Sequence, residues 1–444
     1  MFLVPRETEL TPDLLHKMIV RFNTDVRPKL RKYKDYYLGN QAIKQKSYSD
    51  PSKPCSKTVT NFCRNIASSY AGYIASPGCI SYRSDQDIED IMDVLKWNDY
   101  QTEDSDFLLD ALIYGTASEL MYLDEAGQTR FRKIDPTTCF AIYDDTLSGD
   151  LRYFVRLYDT NQWDDSDIYI VDVYSDTHIS RYEMHGLNGQ LVWLGEEPHW
   201  FSQCPANVFN LADEEPVFAC VMGLQDSYNE ILSSEIDDFS AFCDAYMVLT
   251  NAEIDPEQMA QMKQLRAIML PEGATATWLT KSVSDTQVEN ILDRIQEAIY
   301  RIAQCPDFSS ETFVGGVSSG VAIRYRLTGM ETRSAAIAAQ LEKALKRRIE
   351  IICGIASLKV GEEVWADIEI DFKRNIPEDI SSTVNMINSL HGLVSDATLL
   401  SQLPFVDDVN YELEMLQEQK KANIEANMNA IYAGAFESEE EDEF

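Results

Sequence analysis

Between Tyr182 and Met262 the chain contains no lysine and no arginine. Bases are scarce throughout: 38 Lys and Arg stand against 74 Asp and Glu in 444 residues, a formal charge of −36. Such a surface repels phosphates at long range. That excludes a protein that wraps DNA or reads its grooves, which carries a basic face, but not one that DNA merely passes. Histidine is scarce too, five in all, and no H-E-x-x-H occurs. The nine cysteines include no C-x-x-C pair; an odd number of scattered thiols suits reduced, mostly buried side chains rather than a disulfide framework or a zinc site. No apolar run approaches the ~18 residues of a membrane span. The opening "MFLVPRETEL" meets Pro5 after four apolar residues, too short for the core of a secretory leader. The expectation is a soluble protein made in the cytoplasm, with no membrane partner, no cofactor and no metal.

What is present is unevenly placed. Residues 1–64 are net basic, with Arg27, Lys29, Arg31, Lys32 and Lys34 close together, and the chain ends in "ESEEEDE", read as a solvated, disordered tail over 436–444. Thr11-Pro12-Asp13 is a helix start, a capping hydroxyl followed by proline at the first helical position, and the helix is expected to run to Leu38 and stop at Gly39. Further helices are expected over 59–76 and about 100–114, the latter closed by Gly115. From Glu119 to about Trp193 apolar and polar residues alternate, with turn signals at Ala126-Gly127, Ser148-Gly149 and Asn188-Gly189, which predicts antiparallel hairpins.

The middle is helical again. From Val217 to Leu249 apolar residues recur close to every seventh position, while other faces carry Asp226, Glu230, Glu235, Asp237, Asp238 and Asp244 and no base. A second helix is expected to open at Ser284, with Gln287 completing a capping box, and to align Val288, Ile291, Leu292, Ile295, Ile299 and Ile302. Between the two lies a compact insert containing "AIMLPEGATATWL", read as a short strand pair. Thr328 with Glu331 predicts the start of a further helix to about residue 352. A strand pattern follows at 364–377, then two or three short helices with Ser395 as a cap. The fold class is α+β.

The segment "ETFVGGVSSGVAIRYRL" (311–327) overlaps two catalytic signatures. Gly316, Ser318 and Gly320 spell G-x-S-x-G, and Gly315 and Gly320 occupy the glycine positions of a phosphate loop. A nucleophile elbow needs a hydrophobic strand leading in and a histidine downstream; here the lead-in "QCPDFSSETFV" carries Pro306, and only His391 follows. The phosphate loop needs Lys then Ser or Thr after its last glycine, where this chain has Val321-Ala322. No catalytic residue is assigned. The glycines and small serines make a flexible loop between helices. His178, His185 and His199 lie at no ligand spacing and are read as surface or satisfied core histidines.

Several segments together resemble the portal proteins of long-tailed bacteriophages: "YKDYYLGNQAIKQK", "IYGTASELMYLDEAGQTRFRKIDPTTCFAIYDD", "YNEILSSEIDDFSAFCDAYMVL", "PDFSSETFVGGVSSGVAIRYRLTGMETRSAAIAAQLEKALKRR" and "IDFKRNIPED" followed by "LHGLVSDATLLSQLPFVDD". Each is a loose pattern; their order and spacing are specific. The resemblance implies a ring of about twelve copies at one capsid vertex of the virion, around a channel for double-stranded DNA entering during packaging and leaving during ejection. It implies a wing (1–215), a stem helix (216–249), a clip (250–283), a second stem helix (284–304), a tunnel loop (305–328), a long wing helix with a returning strand (329–380) and a helical crown (381–435). Carried over residue by residue, Gly315, Gly316, Val317, Ser318, Ser319 and Gly320 would narrow the channel. Met269, Pro271, Glu272 and Trp278 of the clip would meet the terminase large subunit or a head–tail adaptor. Asp226, Glu230, Glu235, Asp237 and Asp238 are candidates for an acidic channel or stem face. Major capsid and scaffolding proteins are the other implied partners. The competing readings are a serine hydrolase using Ser318 and a helical ring scaffold that is not a portal.

Overall fold

The computed structural model describes residues 2–50, 53–159, 167–243, 247–250, 255, 273–278, 285–308, 320–355, 364–374, 386–400, 403, 406, 409 and 411–421. Two compact units divide the chain: Met1–Phe308 with Leu327–Asn375, and Ser309–Arg326 with Ile376–Phe444.

In the first unit, helix α1 (Pro12–Arg21) begins as expected, the Thr11 hydroxyl accepting the Leu14 N–H. The predicted single helix is interrupted: Phe22–Val26 is a π-helical turn, after which α2 (Arg27–Leu38) continues to Gly39, whose φ of +80° closes it. The π turn carries Phe22 against Phe140, ring centroids 5.1 Å apart. Helices α3 (Phe62–Ala75) and α5 (Tyr100–Tyr114) fall where expected; α4 (Glu89–Trp97) was not foreseen. Gly115 ends α5 at φ +82°, with the Glu214–Glu215 backbone packed where a Cβ would sit.

The hairpins form two sheets. In the larger, β1 (Phe2–Val4), β5 (Cys139–Asp144), β6 (Leu151–Asp159), β7 (Ile168–Tyr174), β8 (His178–His185) and β9 (Leu191–Pro198) lie side by side. All its pairings are antiparallel except β1 with β5. The smaller has the order β10 (Ala206–Asn210), β3 (Thr116–Leu123), β4 (Thr129–Ile134). One face of the larger sheet meets the π turn through Phe140. Its other face packs Phe154 and Cys139 against Leu120, Cys204 and Ala206 of the smaller sheet and the loop before β10, the expected arrangement for two alternating surfaces that must each lose water. The short strands β1, β10 and β2 (Ile80–Arg83) escaped the sequence reading. β2 pairs with β13 (Glu369–Phe372), and Arg83 meets Asp371 across the pair at 2.7 Å.

The helix expected from Thr328 instead begins at Gly320 and runs to Cys353 as α8. Thr328 is inside it: its carbonyl accepts the Thr332 hydroxyl at 2.9 Å, a back-bond within a continuing helix. A Thr-x-x-Glu pattern occurs in helix interiors as well as at their starts. The buried residues Leu327, Met330, Ser334, Ile337, Leu341, Leu345, Arg348 and Ile352 follow a spacing of three or four along α8.

Arg348 is fully buried and fixes α8 to the sheets. Its guanidinium bonds both carboxylate oxygens of Glu119 on β3 at 2.8 Å and also meets Asp104 on α5, all three side chains within 1% of complete burial. Tyr82 donates to Asp104 at 2.8 Å and the Asn207 amide to Glu119 at 2.7 Å, and Phe131 and Phe107 cover the guanidinium. Burial opposes the Arg348 charge, but Glu119 and Asp104 outweigh it and raise its pKa well above the usual value. Asp104 is shifted up, because burial outweighs Arg348 and Tyr82.

In the second unit the described residues form short helical stretches at 386–390, Asp396–Leu400 and 411–421. Ser395 caps the middle one as expected, its hydroxyl accepting the Thr398 N–H.

Candidate functional site

The long central helix, α6 (Met222–Cys243), is shorter than its apolar repeat predicts. Residues 247–249, read as its end, belong instead to β11 (Met247–Thr250), paired antiparallel with β12 (Thr275–Trp278). The β-branched and apolar "MVLT" fits a strand as well as a helix turn, and the pairing decides it. The second helix is α7 (Asp285–Ile302). Ser284, its expected cap, lies outside the described residues.

The buried stripe of α6 is polar. Gln225, Asn229 and Ser233 are fully buried and Asp237 nearly so, one residue at every fourth position. Facing them, running the other way, is the irregular segment 54–61 that leads into α3. Its alternate backbone N–H groups are donated to the stripe: Phe62 to Gln225 Oε1 at 2.9 Å, Thr60 to Asn229 Oδ1 at 2.9 Å, Thr58 to Ser233 Oγ at 3.0 Å, and Ser56 to Asp237 Oδ1 at 2.5 Å. The geometry explains the match. Four helical residues rise about 6 Å, and two extended residues advance about 6.6 Å, so the two rows stay in step over four rungs. A segment without sheet partners must satisfy its buried N–H groups elsewhere, and a row of side-chain acceptors does so. The Asn229 amide further donates to Gln41 Oε1, whose own amide donates to the Tyr36 carbonyl and to Asn61 Oδ1.

The apolar repeat is not the face this arrangement buries: Phe239 is 72% exposed, and Leu224, Tyr228, Ile231 and Leu232 are only partly covered. The five candidate acids do not share one face either. Asp237 is held by Lys46 at 2.9 Å and by the Ser56 N–H. Burial works against its charge, yet those bonds prevail and keep its carboxyl below the usual carboxylate range. Asp226 turns inward to accept the Tyr36 hydroxyl at 2.6 Å, and burial together with that bond pushes the Tyr36 pKa up. Glu230 and Asp238 are exposed and Glu235 is half-buried. The sequence signal for the inward Asp237 was Gln225-Asn229-Ser233-Asp237 itself, a polar residue at every fourth position, hidden beneath the apolar rhythm.

Gly315, Gly316, Val317, Ser318 and Ser319 lie outside the described residues, as do Met269, Pro271 and Glu272. Gly320, expected in the loop, is the first residue of α8, and Trp278 is the last of β12, opposite Met247. His178 and His185 are exposed and bonded to Thr177 and Glu183, and half-buried His199 meets the Ser175 carbonyl, so all three are satisfied as expected. A cavity of about 240 Å³ lies beside the π turn, lined among others by Phe2, Phe22, Tyr33, Tyr114, Phe140 and Cys139. It contains no histidine, and burial pushes the Cys139 thiol up to about 12, which keeps it protonated and unreactive. No group of three or more His, Cys, Asp or Glu arranged to hold a metal occurs among the described residues, and no described helix is long and apolar enough to cross a membrane.

Among the described residues α6 is followed by the strand pair β11·β12 and by α7, and α6 is bonded along its length to the segment 54–61. Sequence comparison supplies the family. Residues 16–426 match the family described as "Phage portal protein, SPP1 Gp6-like", and the chain belongs to it. Among its relatives is the portal protein of Bacillus phage SPP1, 24% identical over 351 residues, covering 72% of this chain and 68% of that protein. Another is the portal protein of Clostridium phage phiCD119, 20% identical over 437 residues, covering 91% of this chain and 95% of that protein.

Proposed function

We propose that this chain is the portal subunit of a tailed phage. About twelve copies close into a ring at one capsid vertex, and double-stranded DNA passes through the ring during packaging and ejection. The observation that carries the reading is the family match over nearly the whole chain, with the α6–β11·β12–α7 excursion supplying a stem and clip. Apolar side chains support assembly: Phe239 and Ile236 on α6, and Ile291 and Ile302 on α7, are open to water in the single chain, and a neighbouring copy would cover them. The terminase large subunit and a head–tail adaptor would dock on the clip, while major capsid and scaffolding proteins would surround the ring. Packaging energy then comes from the terminase, in keeping with a glycine loop that lacks the phosphate-binding lysine.

The negative charge has a role in this scheme. A wall that neutralised phosphates would release counterions and hold DNA; an acidic wall lets it slide. Glu230 and Asp238, on the exposed side of α6, are the residues assigned to it, with Glu235 beside them, whereas Asp226 and Asp237 serve the interior. The test is mass measurement with imaging: a particle near twelve times 50.5 kDa with a central hole supports the reading. A monomer at every concentration, alone and with capsid partners, refutes it.

A further inference from the structure

Among the described residues the larger sheet has two open edges: at one end β1 pairs with β5 alone, and at the other β9 pairs with β8 alone. Natural sheets blunt such edges with charge, proline, bulges or brevity, and here the protection is uneven. The second half of β9 is guarded: the register shifts between its partners Arg181 and Tyr182, skipping Leu194, and Glu196, Glu197 and Pro198 follow. The first half is bare. Val192, Trp193 and Leu194 are each about half exposed, and Trp200 just beyond is 72% exposed. Trp193 lies on the face that buries Tyr182, in edge contact with that ring at 5.2 Å, so the covered face continues to the rim and stops there. At the opposite edge β1 offers three residues before Pro5 ends it, and its Leu3 is 54% exposed.

We infer that the two edges are complementary, and that the bare half of β9 in one copy pairs with β1 of the next, so that the sheet continues from subunit to subunit. Two observations select this partner. The lengths agree: three residues of β1 face the stretch from Leu191 to Leu194. The directions agree: β1 runs parallel to β5, and four antiparallel steps from β5 to β9 bring β9 back to the same sense. Charge does not oppose it: Glu196 and Glu197 follow the bare half of β9, Glu197 already meeting Arg181 at 3.5 Å, and Arg6 follows β1 with Glu7 and Glu9 just beyond. A joint between two different edges is head-to-tail, and such joints close into a ring when the rotation between copies closes.

This inference rests on the ring reading, and the experiment separates the two. By register, Leu3 and Val192 lie on the same face of the sheet, opposite Phe2 and Leu191. In the full chain carrying Cys220→Ser, which removes the one exposed thiol among the described residues, Leu3→Cys and Val192→Cys variants are prepared separately, mixed, assembled and oxidised. A disulfide-linked dimer as the major product of the mixture, and absent from either variant alone, is the expected result. Rings of full mass without the mixed dimer overturn this joint and leave the ring intact. Dimers from Val192→Cys alone mean that β9 pairs with itself, which also overturns it. A protein that never assembles sinks the joint and the ring together.

Discussion

Replacing Arg348 with methionine removes the one positive charge from a buried cluster that holds Glu119 and Asp104. Methionine keeps the length and the apolar packing on Phe131 and Phe107, so the main loss is electrostatic. Breaking a buried ion pair from one side costs about 3–5 kcal/mol, because the abandoned charge stays out of water. Unfolding carries roughly 2.1 cal/mol/K of entropy per residue, so a unit of about 350 residues loses roughly 4–7 °C in Tm. The pH dependence identifies the cause. Asp104 is already shifted up by burial, and without Arg348 its carboxyl rises further above its unfolded value, near 4. A folded-state pKa above the unfolded one means that the folded state binds more protons, so the variant regains stability as pH falls through the raised folded value. Thermal melts of wild type and variant at about pH 8 and pH 5 should show the deficit shrinking at the lower pH, and Glu119→Gln added to Arg348→Met should recover part of it at pH 8. A deficit under about 1 kcal/mol, or one equal at both pH values, would refute the reasoning.

Asn229→Ala removes the acceptor for the Thr60 N–H and the donor to Gln41, a loss of about 1–3 kcal/mol for each buried group left unpaired; hydrogen exchange should accelerate at Thr60 before it does in α3. Asp237 has a folded-state pKa below its unfolded value, so its contribution is present above about pH 4 and lost as pH falls through the lower folded value. Exchange at Ser56 should show that loss in wild type and not in Asp237→Asn. Gly115→Ala forces a Cβ into the Glu214–Glu215 backbone at a left-handed φ, and chemical denaturation should show a loss above about 1 kcal/mol. Lysine at Glu230 and Asp238 should slow DNA packaging or ejection and make it more salt-dependent; unchanged translocation in a packaging assay would remove the acidic-wall proposal.

The parts legible in the sequence were those fixed by local chemistry. Thr11 and Pro12, Gly39, Gly115 and the hairpin turns each state a backbone requirement that no distant residue can alter. The misreadings share a cause as well. β1, β2 and β10 are three to five residues long, shorter than any window in which alternation can be told from chance, and they exist because another strand receives them. Thr328-x-x-Glu331 satisfied the rule for a helix start, but the helix had already begun at Gly320. On α6 the apolar rhythm was real and the buried face lay elsewhere, because the surface it meets is the main chain of 56–62, which demands acceptors. The candidate acids were placed on the correct helix; which of them turn inward depends on distant partners, Ser56 for Asp237 and Tyr36 on α2 for Asp226.

The rungs between α6 and residues 56–62 contact the strap through atoms that every amino acid but one possesses. The helix therefore sets little requirement on side-chain identity at positions 58 and 60, where it reads the main-chain amide and carbonyl, while at 56 the serine hydroxyl also bonds Asp237. A substitution scan should reflect this as an asymmetry: broad tolerance at 58 and 60 with proline alone rejected, against narrow tolerance at 225, 229, 233 and 237. In this joint the constraint sits on the helix, and the strap is left to vary with whatever its exposed side meets.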